Sequence, residues 1–132
     1  MSNKHGMNWI NKTTRLSIYL RDGMCCAYCG STLEDGITLT LDHLTTREDG
    51  GSNKPANLIT ACHRCNSNRG NRDLMEFIHT VAAYINHGVT GKMIAIHISI
   101  CTSRDLKPFR QMAKEIIAQR PSWSEAMKAA SK

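Results

Sequence analysis

Two pairs of cysteines constrain the fold of this chain more than any other feature of its sequence. Cys26 and Cys29 form one Cys-x-x-Cys pair, and Cys62 and Cys65 form another further along the chain. Two residues between thiolates allow one tight turn to direct both sulfurs at one ion, and two such turns complete a tetrahedral zinc site. A site of this kind is closed and structural, because its binding energy becomes folding energy. A single pair could be a redox motif, but the second copy argues against that alternative.

Two further cysteines, Cys25 and Cys101, lie outside this spacing. Cys25 could take the place of Cys26, although it would leave a longer gap before Cys29. Cys101 lies in an apolar run, which is typical of a buried thiol that behaves as a small hydrophobic side chain. The sequence therefore assigns four of the six cysteines to zinc.

The composition indicates an intracellular protein with a polyanionic partner. Lys and Arg number 17 against 11 acidic residues, so the formal net charge is +6, and nucleic acid is the commonest partner of such small basic proteins. A charge that serves only solubility is the alternative. The N-terminal residues have no apolar signal segment, and no apolar run approaches the ~18 residues that a membrane span needs. We therefore expect a cytoplasmic protein without a membrane partner, whose cysteines are reduced.

Helical and strand patterns alternate along the chain, which favours the α+β class. The spacing of apolar residues predicts a helix over 12–21, capped by Asn11 or Thr13. Residues 37–41 and 57–60 have strand character, and a short helix is expected over 63–69. Asp73 can cap another helix that ends at His87-Gly88. Residues 93–100 alternate like a strand but also suit a buried helix, which we favour, and a final amphipathic helix is predicted over 106–120.

An Asp-His pair at the end of the first strand pattern is the leading candidate for chemistry. The carboxylate of Asp42 is a hard oxygen ligand suited to Mg²⁺ or Mn²⁺. The imidazole of His43 titrates near neutral pH and can remove a proton from water. A surface Asp beside a half-buried His is the plain alternative. The pair lies, however, between the two cysteine pairs and upstream of Asn57 and Asn66.

These motifs together resemble a known family. The segments MCCAYCG, LTLDHL and GGSNKPANLITACHRCNSNRGNRD are similar to the HNH endonucleases that carry a structural four-cysteine zinc, the ββα-metal or treble-clef type. The resemblance spans roughly residues 15–75. It implies a small zinc-stapled ββα-metal core with an N-terminal helix and a helical C-terminal extension. We therefore expect an HNH nuclease domain over 12–88 and an extension over 89–132.

The resemblance also implies a role for each polar residue of the motif. His43 would be the general base that activates water, and Asp42 would bind a single catalytic Mg²⁺ or Mn²⁺. Asn57 would hold the loop backbone so that His43 is aimed correctly. Asn66 would be the second ligand of the catalytic ion, with Asn68 as its rival. The expected reaction is phosphodiester hydrolysis.

The remaining expectations concern partners. DNA is the expected substrate, RNA is not excluded, and the protein would act as a monomer that nicks or as a homodimer that cuts both strands. A zinc-stapled module that binds nucleic acid without cutting it is the alternative, and a zinc-held protein-interaction domain is a third. The histidines outside the motif are expected to be structural or exposed, and Trp9 and Trp123 to be packing anchors. The side chains expected to contact phosphates are Arg64, Arg69, Arg72 and Lys54.

Overall fold

The first helix begins and ends where its sequence predicts. The structure is a computed structural model that describes residues 9–85 and 88–132. Two of the histidines outside the motif, His5 and His87, therefore lie outside the described residues. Helix α1 spans Lys12–Arg21, and the side chain of Asn11 accepts a hydrogen bond from the backbone N–H of Thr14 at 2.8 Å. This bond satisfies one of the donors that a helix start leaves unpaired.

A two-stranded antiparallel sheet forms the centre of the fold. Strand β1 is Leu39–His43 and strand β2 is Leu58–Cys62, with Asp42 opposite Ile59. Both strands end two residues later than their sequence patterns predict, and Asp42 and His43 therefore belong to the first strand. Every residue of both strands is buried. The alternating threonines do not mark a solvent face, since Thr40 donates its hydroxyl hydrogen to the carbonyl of Ala61 at 2.9 Å.

A buried ion pair at the end of α1 fixes that helix to the sheet. Arg21 contacts Asp22 at 2.7 Å, and its guanidinium also donates to the carbonyl of Leu58 at 2.7 Å. The Asp22 carboxylate accepts from both the backbone N–H and the hydroxyl of Thr60. Arg21 also donates to the carbonyl of Pro55, just before β2, so both charged groups are hydrogen-bonded, as a buried charge requires.

The second half of the chain is helical. The ambiguous isoleucine run is a helix, as favoured: Ile94 and Ile98 are buried, whereas Ile96 and Ile100 are about half exposed. Spacing by four residues places the buried pair on one face. The last helix was not predicted. The helices after the sheet are α2 His63–Arg69, α3 Leu74–Ile85, α4 Gly91–Ser103, α5 Lys107–Ala118 and α6 Trp123–Ala130.

Two apolar clusters share these helices. One cluster surrounds the four paired cysteines and includes Phe77 and Ile98, and the other includes Leu16 and Ala113 on facing helices. The C-terminal helices contribute to both clusters, so the predicted division near residue 88 stays a prediction. The expected α+β class, with clustered cysteines beside a small sheet, is confirmed. Within the described ranges, every helix is too short or too polar to cross a bilayer.

Candidate active site

The four cysteines of the two Cys-x-x-Cys pairs converge on one point. Their sulfurs all lie within 4.8 Å of one another, with Cys29 and Cys62 at 3.8 Å. A tetrahedral zinc with bonds of about 2.3 Å has sulfur–sulfur edges of about 3.8 Å. The backbone N–H of Cys65 donates to the sulfur of Cys62 at 3.4 Å, and Cys29 repeats this bond to Cys26 at 3.5 Å. Geometry and donor chemistry both fit a structural zinc.

The thiols of this cluster compete for their protons. Hydrogen bonding with Cys29 raises the pKa of Cys26, and the same pairing lowers the pKa of Cys29. A hydrogen bond from Cys26 lowers the pKa of Cys62 to about 6. Thiolates this close repel one another unless a cation lies between them. Cys25 is not part of the cluster, because its sulfur contacts the carbonyl of Asp22 instead, at 3.6 Å.

Asp42 is buried and held by two donors. Its Oδ2 accepts a hydrogen bond from the Tyr28 hydroxyl and another from Arg69, at 2.9 Å. Burial, followed by the neighbouring Asp42 charge, raises the pKa of Tyr28 well above its ordinary value. Tyr28 therefore stays a neutral donor. Asp42 is 6% exposed, and the exposed part opens into a cleft of about 260 Å³.

His43 lines the same cleft and is oriented from two sides. Its Nε2 lies 2.8 Å from Oδ1 of Asn53, and its ring packs on the indole of Trp9 with centroids 5.0 Å apart. An amide oxygen only accepts, so Nε2 carries the proton in this pairing and Nδ1 is the basic nitrogen. The guanidinium of Arg15 lies 5.5 Å from the centre of the Trp9 ring.

The side chain of Asn57 ties together the loop that connects the two strands. Its Oδ1 accepts from the backbone N–H of Thr45 at 2.9 Å, and its Nδ2 donates to the carbonyls of Thr45 and Ser52. Gly51 is required beside it, because a Cβ there would collide with the Thr45 carbonyl. The loop also carries Asn53, so Asn57 indirectly orients the partner of His43.

Asn66 completes the cleft, whereas Asn68 does not. Asn66 is buried on α2 and donates through Nδ2 to Thr40 at 2.9 Å and to the carbonyl of Leu41 at 3.1 Å. It lines the cleft together with Asp42 and His43. Asn68 is exposed and lines a different cleft on the other flank of the helix. The structure thus favours Asn66 of the two rivals.

The comparisons with known proteins agree with this geometry. Residues 26–72 match the family model described as HNH endonuclease. This segment therefore resembles an HNH domain. The chain resembles the CRISPR-associated endonuclease Cas9 of Corynebacterium diphtheriae, with 42% identity over 52 residues that make up 39% of this chain. It also resembles Cas9 of Actinomyces naeslundii, with 38% identity over 58 residues, or 43% of this chain.

The similarity to both Cas9 proteins is partial. The aligned regions cover only 5% of the length of either Cas9 protein. No solved structure matches this chain. The family match contains both cysteine pairs, Asp42, His43 and Asn66, and it ends at residue 72, before α3.

Arg69 is the one expected phosphate contact that the structure contradicts. This side chain is 2% exposed and donates to Asp42 and to the backbone carbonyls of His43 and Leu44. Burial is the largest single influence and lowers the pKa of Arg69, but the charge and hydrogen bond of Asp42, together with Tyr28, outweigh burial and raise the pKa overall. Arg69 is therefore a buried internal partner of the HNH domain, because its helix turns this side chain toward the end of β1.

The other three predicted phosphate contacts remain exposed but lie away from the cleft. Arg64 and Arg72 line the other cleft, the one that Asn68 borders on the far flank of α2, and Lys54 lies in the loop that precedes β2. Two residues that were not predicted, Arg47 and Glu48, line the candidate active site itself. Glu48 accepts a hydrogen bond from Asn71 at 2.9 Å. Their only sequence signal is a position soon after the Asp-His pair.

Proposed function

We propose that this chain is a metal-dependent endonuclease that hydrolyses phosphodiester bonds in DNA. One observation carries the proposal: Asp42, His43 and Asn66 line a single cleft beside a four-cysteine cluster in a segment that matches the HNH family. A protein that only bound nucleic acid would need none of these three side chains. The positive net charge supports a polyanionic substrate.

His43 is the proposed general base. With the proton on Nε2 held by Asn53, the lone pair of Nδ1 is available to take a proton from an attacking water. Tilted packing against Trp9, with 33° between the ring planes, restricts the orientation of the ring. Asn57 supports this arrangement through the loop, which is a positioning role rather than a catalytic one.

Asp42 and Asn66 are the proposed ligands of one divalent ion. Tyr28 and Arg69 both use Oδ2 of Asp42, so its Oδ1 is the atom that would face the ion. The Nδ2 of Asn66 is committed to strand β1, and its carbonyl oxygen is the donor that would bind. Carboxylate and amide oxygens suit Mg²⁺ or Mn²⁺, which would supply Lewis-acid stabilisation of the charge on the phosphate and the leaving oxygen.

The resemblance to HNH endonucleases implies that water attacks in line and displaces the 3′ oxygen, which would leave a 5′-phosphate and a 3′-hydroxyl. The described residues of the chain provide one such centre, so a monomer would nick one strand, and a homodimer would be needed to cut both. Arg64, Arg72 and Lys54 stay proposed phosphate contacts outside the cleft, where exposed cations can position the backbone without reading sequence. A zinc ion in the cysteine cluster would have a structural role only.

A plasmid-nicking assay across divalent ions tests this function. We expect Mg²⁺ or Mn²⁺ to support nicking, and His43→Ala to lower the rate by at least about 100-fold, the usual contribution of a general base. His79→Ala is the matched control, because His79 is exposed on α3 and remote in sequence from the motif. Parental activity in His43→Ala would refute the assigned base. Tight DNA binding without cleavage in any ion would instead support the non-catalytic module.

A further inference from the structure

A second cleft lies on the opposite flank of helix α2 from the candidate active site. Its volume is also about 260 Å³. Phe77 and Val81 of α3 are buried at its floor, and Tyr84 of the same helix stands at its side with 81% of its surface exposed. Arg64 and Arg72 are exposed members of its lining.

We propose that this second cleft binds one unpaired base of a nucleic-acid strand and its neighbouring phosphates. This proposal rests on the proposed function, because it adds that the nucleic-acid substrate contains a single-stranded segment. Tyr84 would be the stacking surface for the base. Arg64 and Arg72 would contact the phosphates on either side of it.

The exposure of Tyr84 is the first argument for this assignment. It is by far the most exposed large hydrophobic side chain of the described residues, the others being about half exposed. An aromatic ring left in water offers a face on which any base can stack, and such stacking contributes about 1–3 kcal/mol per base. The apolar floor beneath it suits the edge of a planar ring. Asn68, in the same lining, offers both an amide donor and an acceptor.

Charge is the second argument. Two arginines line the cleft, and none of its described lining residues is acidic. Cys29 and Cys65 also border it, so the arginines could serve only to offset the charge of a zinc–thiolate cluster. That simpler role gives no reason for an exposed tyrosine at the same cleft, and the two readings make different predictions for Tyr84.

The position of the cleft relative to the candidate active site is the third argument. Asn71 lines the candidate active site, the next residue Arg72 lines the second cleft, and both residues also line a third depression of about 470 Å³. A strand could therefore pass around the C-terminal end of α2 from one cleft to the other.

The experiment compares two oligonucleotides of equal length in the His43→Ala background, without added Mg²⁺ or Mn²⁺. One is an oligothymidine of about 12 nucleotides, which is longer than the single base and neighbouring phosphates that the cleft would bind. The other has the same backbone with abasic sugars. We expect Tyr84→Ala to weaken oligothymidine binding by about 5- to 100-fold and to leave abasic binding unchanged. Tyr84→Phe should bind both oligonucleotides as its parent does. Fluorescence anisotropy gives the dissociation constants.

Met75→Ala is the matched control, since Met75 is a half-exposed apolar residue on the same helix, and it should change neither affinity. Arg72→Gln should weaken both oligonucleotides and lower the salt slope by about 0.7, the value for one phosphate contact on a single strand. The proposal is overturned if Tyr84→Ala binds both oligonucleotides like its parent, or loses both equally. This assay needs no cleavage. A parent protein that fails to nick but shows the Tyr84 effect would therefore refute the nuclease and leave the base-binding cleft standing.

Discussion

The part of the chain before residue 73 and the part after residue 90 are stabilised by different interactions. In the first part, buried polar side chains bind backbone groups across long sequence separations, as Arg21 does with Leu58 and Arg69 with His43. In the second part, the buried residues are mostly apolar and spaced along helix faces, such as Ile94 and Ile98. The polar contacts of the first part fix the relative positions of its side chains, whereas the second part is stabilised mainly by the burial of apolar side chains.

The two parts nevertheless depend on each other. Ile98 and Cys101 of α4 pack in the cluster that contains the paired cysteines, and Ala113 of α5 packs in the cluster around α1. Arg104 also donates to the carbonyl of Arg21. We expect the removal of a polar or metal-binding group in the first part to cost more stability than the removal of an apolar group in the second, because it leaves a buried polar partner unpaired.

The largest expected effect is the loss of one cysteine of the cluster. Cys62→Ser should abolish zinc binding and unfold the first part, because structural zinc contributes about 10–16 kcal/mol in small domains. Metal analysis and the dispersion of the NMR spectrum measure both effects. Cys25→Ser is the matched control and should retain zinc, since its sulfur lies outside the cluster. A well-dispersed, parental spectrum for Cys62→Ser would show that apolar packing alone holds both parts.

The next largest effect is expected at the buried ion pair. Arg69→Ala should destabilise the protein by about 3–5 kcal/mol, because it leaves the Asp42 carboxylate buried with only Tyr28 as a donor. Urea unfolding measures the change. Arg64→Ala, on the exposed side of the same helix, should stay within about 0.5 kcal/mol of the parent. Equal effects at the two arginines would remove the distinction between a buried partner and a surface cation.

A smaller effect is expected from the apolar part. Ile98→Ala should cost about 2–5 kcal/mol through lost burial and the cavity that remains, while zinc content stays parental. Ile100→Ala on the exposed face of the same helix is the comparison and should be close to neutral. Thermal unfolding followed by circular dichroism checks both variants. Loss of zinc in Ile98→Ala would mean that the two parts fold as one unit.

The smallest effect concerns alkaline pH. Burial raises the pKa of Cys101 from its ordinary value near 9 to about 11. Below pH 9 the Cys101 thiol is protonated in both the folded and the unfolded chain, so it does not change the free energy of unfolding. Between pH 9 and 11 the unfolded chain ionises first, so stability falls by about 1 kcal/mol by pH 10. Unfolding at pH 8 and pH 10 should show a smaller loss in Cys101→Ala than in the parent, and an identical loss would contradict the assignment.

Local patterns predicted much of the fold and of the cysteine cluster. Cap residues and apolar spacing located most helices, and the cysteine spacing anticipated the convergence of four sulfurs. The strands were placed two residues early, because alternating Leu and Thr fit a strand in either register. The contacts of His43 with Trp9 and Asn53 were not predictable, since they join segments that no short-range pattern links.

The sequence by itself determined the zinc-binding spacing, the order of helices and strands, and the polar residues of the HNH motif. The first two depend on interactions between residues a few positions apart, and the motif residues were identified by resemblance to a known family. Only the tertiary structure decided which way each polar side chain faces. Arg64 and Arg69 lie on one short helix, yet one is exposed and the other is buried against Asp42. The reason is that the rotation of a helix about its axis is set by what it packs against, here the cysteine cluster and the sheet.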